Sequence, residues 1–334
     1  MAVPGVTIGL EAIVMIIHRA VGMTVVTLAV ASLGIAGCST NSTIDTDTNA
    51  DVAPLHAVPA DAQVVWGSAS CQLTGSPFLT CELDMSDPRV SGTERIEFLS
   101  SRADRQWTVQ PDVVTNVEGT WRGSGQGSDD EDGAPLAEAR FVGEGGYEGM
   151  EFHYYVAPPT EGEWTSTPLP LTGWISSSIP ADPASTTAPD APFHAVSGRP
   201  GTFPVSGWAA CDSTGSGTVD PEGELDVLVT CQLDLSDPRV SGTETQDRFR
   251  ILAGDVGAGD VRAADDARIT TAEGTWRGQV QAATDDAAVP AAIGEAHYIG
   301  EGAYEGLEFH YYFADLDSSE DGPVVVQGWI SPAP

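Results

Sequence analysis

The chain has 334 residues, of which 49 are acidic and 14 are basic, so its formal net charge is −35. All 14 basic residues are arginines, since the sequence contains no lysine. A surface this negative repels nucleic acid and anionic lipid head groups, so we expect no nucleic-acid partner and no membrane attachment through basic patches.

The N-terminal segment differs from the rest of the chain. His18 and Arg19 precede an uncharged run over 23–36, which ends in small residues just before Cys38. A charged start, a short apolar core and small residues at a cleavage site are the parts of a signal peptide. The run is too short to cross a bilayer, which takes about 20 residues. We therefore predict that residues 1–37 are a signal peptide.

The end of that segment, Ile35-Ala36-Gly37-Cys38, resembles the bacterial lipobox. The resemblance implies that Cys38 is acylated, for example with palmitate, and becomes the first residue of the mature protein. We therefore predict a lipoprotein on the extracytoplasmic face of the cell envelope, with membrane lipid as a partner through Cys38. The alternative is a buried apolar helix with a chance cysteine. Because the leader is unusually long, we expect translation to start at Met15.

Two linkers and two domains make up the remainder. Residues 39–61 and 179–202 are rich in Pro, Ala, Ser and Thr and contain few apolar residues, a composition typical of solvated linkers. The segments 62–178 and 203–334 each have the size of a small domain. We therefore predict one domain in each of these two segments.

The two domains are copies of one unit. The longest repeated segment, Thr80–Glu94, returns as Thr230–Glu244 with changes only at Gln232 and Leu235. Three further segments return in the same order: 118–123 as 273–278, 143–155 as 300–312, and 173–176 as 328–331. The duplication means that one fold is to be expected twice.

Cysteine usage supports export. Apart from Cys38 the chain contains four cysteines, and an even number in an exported protein is typical of a disulfide set. Four cysteines allow three pairings. Because each repeat holds two of them, the duplication favours Cys71–Cys81 and Cys211–Cys231.

Hydrophobic periodicity predicts strands. In 150–156 and 307–313, apolar and polar residues alternate, which is the pattern of a half-buried strand. Clusters of Gly, Pro, Asp and Ser recur about every ten residues, and no amphipathic helix of useful length is found. The predicted fold is all-β, with two tandem small antiparallel β-barrels of seven or eight strands each. A closed barrel is favoured over a sandwich because closure leaves no exposed edge strands.

Glu151 with His153, and Glu308 with His310, form a polar face on these strands. A Glu–His pair lining a pocket could act as a general base and the group that orients it. Since aromatic and aliphatic residues occupy the opposite face, we expect the polar face to lie outside the barrel. We therefore assign no catalytic residue.

The remaining motifs favour structural roles. The segments 86–93 and 236–243, Ser-Asp-Pro-Arg-Val-Ser-Gly-Thr, are typical of a turn. The glycine-rich segment 143–149 lacks the helix that a phosphate loop needs. The acidic segment 129–133 fails as an EF-hand, because Ala139 occupies the position of the last ligand. Since no zinc spacing or dinucleotide fingerprint is found, we expect no metal and no cofactor.

The repeated motifs together resemble a family of bacterial secreted proteins and, more loosely, the allene oxide cyclase and dirigent barrels. The resemblance implies the barrel fold, and no cyclase residue can be matched. The leading hypothesis is a non-enzymatic module that binds a small apolar molecule or a surface partner. The alternatives are an isomerase-like or cyclase-like barrel enzyme and a structural envelope protein. An open barrel interior with convergent polar groups would distinguish a ligand site from a filled core.

Overall fold

In a computed structural model of the protein, two strand-rich segments are described. The described residues are 58–75, 78–98, 105–129, 134–159, 166–177, 201–221, 223–254, 259–284, 292–315 and 324–333. Cys38, the predicted signal peptide and most of both predicted linkers lie outside them. Among the described residues, no helix has the length and apolar character that a membrane crossing requires.

The first repeat forms an eight-stranded antiparallel barrel. Each strand pairs with its neighbours in sequence, and β1 pairs with β8 to close the barrel. Its strands are β1 Gln63–Gly75, β2 Phe78–Met85, β3 Gly92–Phe98, β4 Gln106–Thr115, β5 Gly119–Asp129, β6 Pro135–Gly145, β7 Glu151–Val156 and β8 Leu169–Ser176.

The second repeat forms a barrel with the same topology, closed by pairing between β9 and β16. A short 3-10 helix, Gly302–Tyr304, precedes β15. Its strands are β9 Phe203–Val219, β10 Glu224–Leu235, β11 Gly242–Gly254, β12 Asp260–Thr270, β13 Thr275–Thr284, β14 Ala292–Glu301, β15 Leu307–Asp315 and β16 Val324–Pro332. The prediction of two tandem closed barrels is confirmed.

Both predicted disulfide bonds are present, and each joins the first two strands of its barrel. Cys71 lies directly opposite Cys81 in the β1–β2 register, and Cys211 lies opposite Cys231 in the β9–β10 register. Each bond therefore fixes the alignment of one hairpin.

The repeated motifs close one end of each barrel. In the turn between β2 and β3, the Asp87 carboxylate accepts a hydrogen bond from the backbone N–H of Arg89 at 2.9 Å and pairs with its guanidinium at 2.6 Å. The indole N–H of Trp121 donates to the Arg89 carbonyl at 2.8 Å, and Tyr147 stacks on that indole. The turn and the tryptophan thus form a packed base beneath the barrel.

The second barrel repeats this base with the corresponding residues. Asp237 and Arg239 make the same turn contacts. Trp276 donates to the Arg239 carbonyl at 2.7 Å and stacks with Tyr304. This geometry agrees with the structural role predicted for the Ser-Asp-Pro-Arg segment, because the Asp and Arg side chains bind each other within the turn.

The two barrels also pack against each other. A separate apolar cluster at their junction includes Trp174 and Tyr155 from the first barrel and Trp329 and Tyr312 from the second. All four side chains are buried. Each barrel therefore has an inner core and one wall that is covered by the other barrel.

Candidate functional site

The polar face predicted on β7 and β15 lies on the outer wall of each barrel, but it is not exposed to solvent. His153 and His310 have no exposed surface, while Glu151 and Glu308 keep 3% and 5%. The apolar residues between them, such as Phe152 and Phe309, point into the barrel cores. These side chains are buried because the outer wall of each barrel packs against the other barrel. The sequence of a single repeat does not indicate this packing.

In the first barrel, Glu151 and His153 do not form a pair. The Arg140 guanidinium donates to Glu151 at 2.5 Å. The His153 Nε2 atom instead lies 3.1 Å from the Glu138 carboxylate on β6. Burial, with a smaller contribution from the charge of Arg140, holds the pKa of His153 well below its usual value.

The second barrel shows the same separation. Glu308 contacts His297, with 3.3 Å between its carboxylate and the imidazole Nε2, and it accepts a hydrogen bond from Ser331. The His310 Nε2 atom lies 3.2 Å from the carboxylate of Glu295. Neither predicted Glu–His pair is therefore present as a base and its orienting group.

Glu138 and Glu295 belong to a polar network between the barrels, called here the inter-barrel cluster. The Tyr155 hydroxyl of the first barrel donates to Glu295 at 2.9 Å, and the Tyr312 hydroxyl of the second donates to Glu138 at 2.8 Å. The inter-barrel cluster consists of Gln126, Glu138, His153, Tyr155, Gln281, Glu295, His310 and Tyr312. Burial and the nearby carboxylates raise the pKa of both tyrosines well above 10, so they act as neutral donors.

A different polar group faces the interior of the second barrel. This barrel holds a cavity of about 210 Å³ with largely apolar walls, called here the second cavity. Strands from all around the barrel contribute to the wall. The lining residues are Ala209, Cys211, Val229, Cys231, Glu244, Gln246, Phe249, Arg262, Val280, Ala282, Thr284, Ala292, Tyr311, Phe313, Asp315, Val324 and Val326.

The corresponding cavity of the first barrel is only about 50 Å³ in volume. The difference has an identifiable cause near the barrel mouth. Trp107 lies opposite Gly127 in the first barrel, whereas Arg262 lies opposite Ala282 at the equivalent place in the second. The Trp107 indole packs on Phe98 and fills the space, while Arg262 makes a two-point ion pair with Asp260 at 2.8 Å and 2.9 Å.

Glu244 is the polar centre of the second cavity. It accepts hydrogen bonds from the Tyr298 and Tyr311 hydroxyls and, at 2.9 Å, from the Gln246 amide. All three donors reach Oε1, so Oε2 carries none of these bonds. Burial raises the pKa of Glu244, and the three hydrogen bonds oppose that rise. The geometry presents one carboxyl oxygen to a mostly apolar space, whose other polar lining residues include Gln246, Arg262, Thr284 and Asp315.

In the first barrel, Glu94 is the equivalent of Glu244, and a second carboxyl group, that of Asp112, lies beside it. Glu94 accepts a hydrogen bond from the Tyr154 hydroxyl at 2.5 Å, and Asp112 lies next to it. Burial raises the pKa of Glu94 to about 7. The pKa of Asp112 is raised well above its usual value by burial and by the charge of Glu94. Two adjacent buried carboxyls of this kind share a proton at neutral pH.

Sequence reasoning did not single out Glu94 or Glu244, although a signal was present. Each is the last residue of its copy of the longest repeated segment. Each is also the first residue of its strand to point into the barrel, with Ile96 following Glu94 and Gln246 following Glu244 two residues later. A charged residue at the first inward position of a strand, repeated in both copies, indicates a buried carboxyl with a specific role.

The chain matches no protein-family model, no curated protein and no solved structure. What the second cavity does must therefore follow from its own residues. A mostly apolar wall with a few polar groups, among them the Glu244 carboxyl, is the usual form of a site for a small molecule.

Proposed function

We propose that the protein is a binding module for a small apolar molecule and that the second cavity is its ligand site. The observation that carries the proposal is the Glu244 carboxyl group, which is held by Tyr298, Tyr311 and Gln246 against an open, mostly apolar space of about 210 Å³. The nearly filled first barrel shows that this fold does not need such a space to pack. The open interior supports binding over a purely structural role.

Size and chemistry restrict the ligand. An apolar protein cavity of about 150 Å³ can hold benzene, so the second cavity suits a single ring or a short branched chain. Because Glu244 Oε2 carries none of the hydrogen bonds from the three protein donors, the ligand should bring one hydroxyl or amine to donate to it. An anionic ligand is disfavoured, because it would be buried beside a carboxyl group.

Calorimetric titration with 4-methylphenol and toluene tests this proposal. The two compounds share a shape, but only the phenol can donate a hydrogen bond. We expect the phenol to bind more tightly than toluene, and Glu244→Gln to weaken phenol binding about tenfold while leaving toluene unchanged, as expected for a lost hydrogen bond of about 1.4 kcal/mol.

Two further variants locate the site. Ala282→Leu, which adds volume to the wall of the second cavity, should abolish binding of both compounds. The matched control Glu94→Gln alters the equivalent carboxyl of the first barrel and should leave binding intact. Equal effects of Glu94→Gln and Glu244→Gln, or binding that survives Ala282→Leu, would contradict the assignment.

The same geometry supports a second candidate, an isomerase-like activity. A carboxyl whose pKa is raised by burial can donate or accept a proton on a bound substrate, and Glu244 is placed to do so. The distinguishing observation is turnover. Recovery of bound ligands in rearranged form, with loss of that conversion in Glu244→Gln, would favour the enzyme over the binding module.

We also propose that the module is anchored to a membrane through acylated Cys38. The support is the lipobox-like sequence before Cys38 and the disulfide bond in each barrel, since such bonds persist in oxidising compartments outside the cytoplasm. Mass spectrometry of the membrane-purified protein should find a lipid-modified N-terminal Cys38. Detection of an unmodified N-terminus upstream of Cys38 would refute the anchor.

A further inference from the structure

Three side chains that can bind a metal ion meet at the junction of the two barrels. Glu138 comes from β6 of the first barrel, and Glu295 and His310 come from β14 and β15 of the second. Each offers one ligand atom, and the three atoms lie within 4.8 Å of one another. All three residues are buried, with at most 1% of their surface exposed. Carboxylate oxygen and imidazole nitrogen are common ligands of Zn²⁺ and Mn²⁺.

The surrounding residues orient the two carboxylates. Tyr312 donates to Oε1 of Glu138 and Tyr155 donates to Oε1 of Glu295, at 2.8 Å and 2.9 Å. The Oε2 atom of Glu295 lies 3.2 Å from His310 Nε2. Two ligands bound at about 2.0–2.1 Å to one tetrahedral ion are separated by about 3.3 Å. Metal-binding carboxylates are often fixed by such outer hydrogen bonds.

We propose that Glu138, Glu295 and His310 bind one Zn²⁺ ion that fastens the two barrels together. A divalent cation would neutralise two like-charged carboxylates that are removed from water, which is otherwise costly. The nitrogen ligand and the small number of ligands favour Zn²⁺ over Ca²⁺, which takes six to eight oxygen ligands. The site requires both barrels, and it is independent of the ligand proposed for the second cavity.

Metal analysis of the full chain tests the proposal. The protein is purified through a tag without histidine, refolded with Zn²⁺ or Ca²⁺, desalted and measured by elemental mass spectrometry. We expect one Zn²⁺ per chain, no retained Ca²⁺, and a higher melting temperature in the zinc-loaded protein. A wild-type chain that retains no Zn²⁺ and shows no change in melting temperature would overturn the proposal.

The duplication supplies a matched control. His153 is the counterpart of His310 and contacts Glu138, but it lies outside the three-atom set. We therefore expect His310→Gln to lose Zn²⁺ and His153→Gln to retain it. Equal loss in both variants, or full retention in His310→Gln, would overturn the three-ligand assignment.

Glu295→Gln provides a second route, because it preserves the shape of the side chain and an acceptor for Tyr155. We expect at least a tenfold loss of zinc affinity in this variant, measured by competition with a zinc indicator. Circular dichroism of the zinc-free variants separates loss of metal from loss of fold. A folded Glu295→Gln protein with unchanged affinity would overturn the role of Glu295.

Discussion

At the scale of single residues, burial changes what the carboxyl groups do. The chain carries a net charge of −35, yet among the described residues Glu94, Glu138, Glu244 and Glu295 are only 0–1% exposed. Each meets a tyrosine hydroxyl that serves as a neutral donor. A buried carboxyl group is tolerated only where it has hydrogen-bond partners, so each of these four residues requires a nearby donor.

We expect Glu94 to make the stability of the first barrel depend on pH. Its pKa is about 7 in the folded chain and close to 4.5 when unfolded, so its stabilising contribution is complete below about pH 4.5. This contribution is lost as the pH rises through about 7, because the unfolded chain releases the Glu94 proton at a lower pH than the folded chain does. The loss amounts to about 3 kcal/mol over that window. Urea denaturation from pH 4.5 to 8 measures the slope.

Glu94→Gln should flatten that slope, although Asp112 will keep part of it. The control is Glu82→Gln, which removes an exposed carboxyl from the neighbouring strand and should leave the slope as it is. If the slope of Glu94→Gln equals that of the wild type, the buried carboxyl does not govern the pH dependence.

At the scale of elements, the first two strands of each barrel depend on their disulfide bond. The bonds link residues that are 10 positions apart in the first barrel and 20 apart in the second. In the chain-entropy model, a loop of either size contributes about 3 kcal/mol, slightly more for the longer one. Cys71→Ala with Cys81→Ala, and separately Cys211→Ala with Cys231→Ala, should each lower the free energy of unfolding by about that amount in urea denaturation. An unchanged free energy in both double variants would contradict this expectation.

Strands and disulfide bonds could be predicted because the sequence signals for them lie within a single repeat. The alternation around Phe152 and Phe309 identifies strands, and the repeat assigns the cysteine pairing. The volume of the second cavity could not be predicted, because it depends on contacts between side chains on different strands. In the first barrel Trp107 lies opposite Gly127, and in the second barrel Arg262 lies opposite Ala282. The burial of His153 and His310 also escaped prediction, since it depends on a second barrel and not on the strand itself.

At the scale of the whole molecule, we expect the inter-barrel cluster to couple the unfolding of the two barrels. Tyr312→Phe removes the hydroxyl that contacts Glu138 and Gln126 and leaves a buried carboxyl short of a donor. We expect a loss of about 1–3 kcal/mol, concentrated at the junction. In scanning calorimetry the wild type should show one transition, and the variant should show two.

A matched variant distinguishes coupling from general destabilisation. Tyr304→Phe also removes a buried tyrosine hydroxyl from the second barrel, but its partner there is Thr271 at the base. It should lower the melting temperature while keeping a single transition. Separate transitions in both variants, or in neither, would argue that the inter-barrel cluster does not couple the barrels.

The exchange of Tyr155 and Tyr312 across the junction has a consequence for how the copies could diverge. A lone barrel with this polar wall would depend on meeting a second molecule, at a rate set by its concentration in the cell. In the duplicated chain the partner is always attached, so the effective concentration is high and independent of expression. Each interior is then able to change without loss of the assembly. The first interior is nearly filled around Trp107, whereas the second keeps an open space of about 210 Å³.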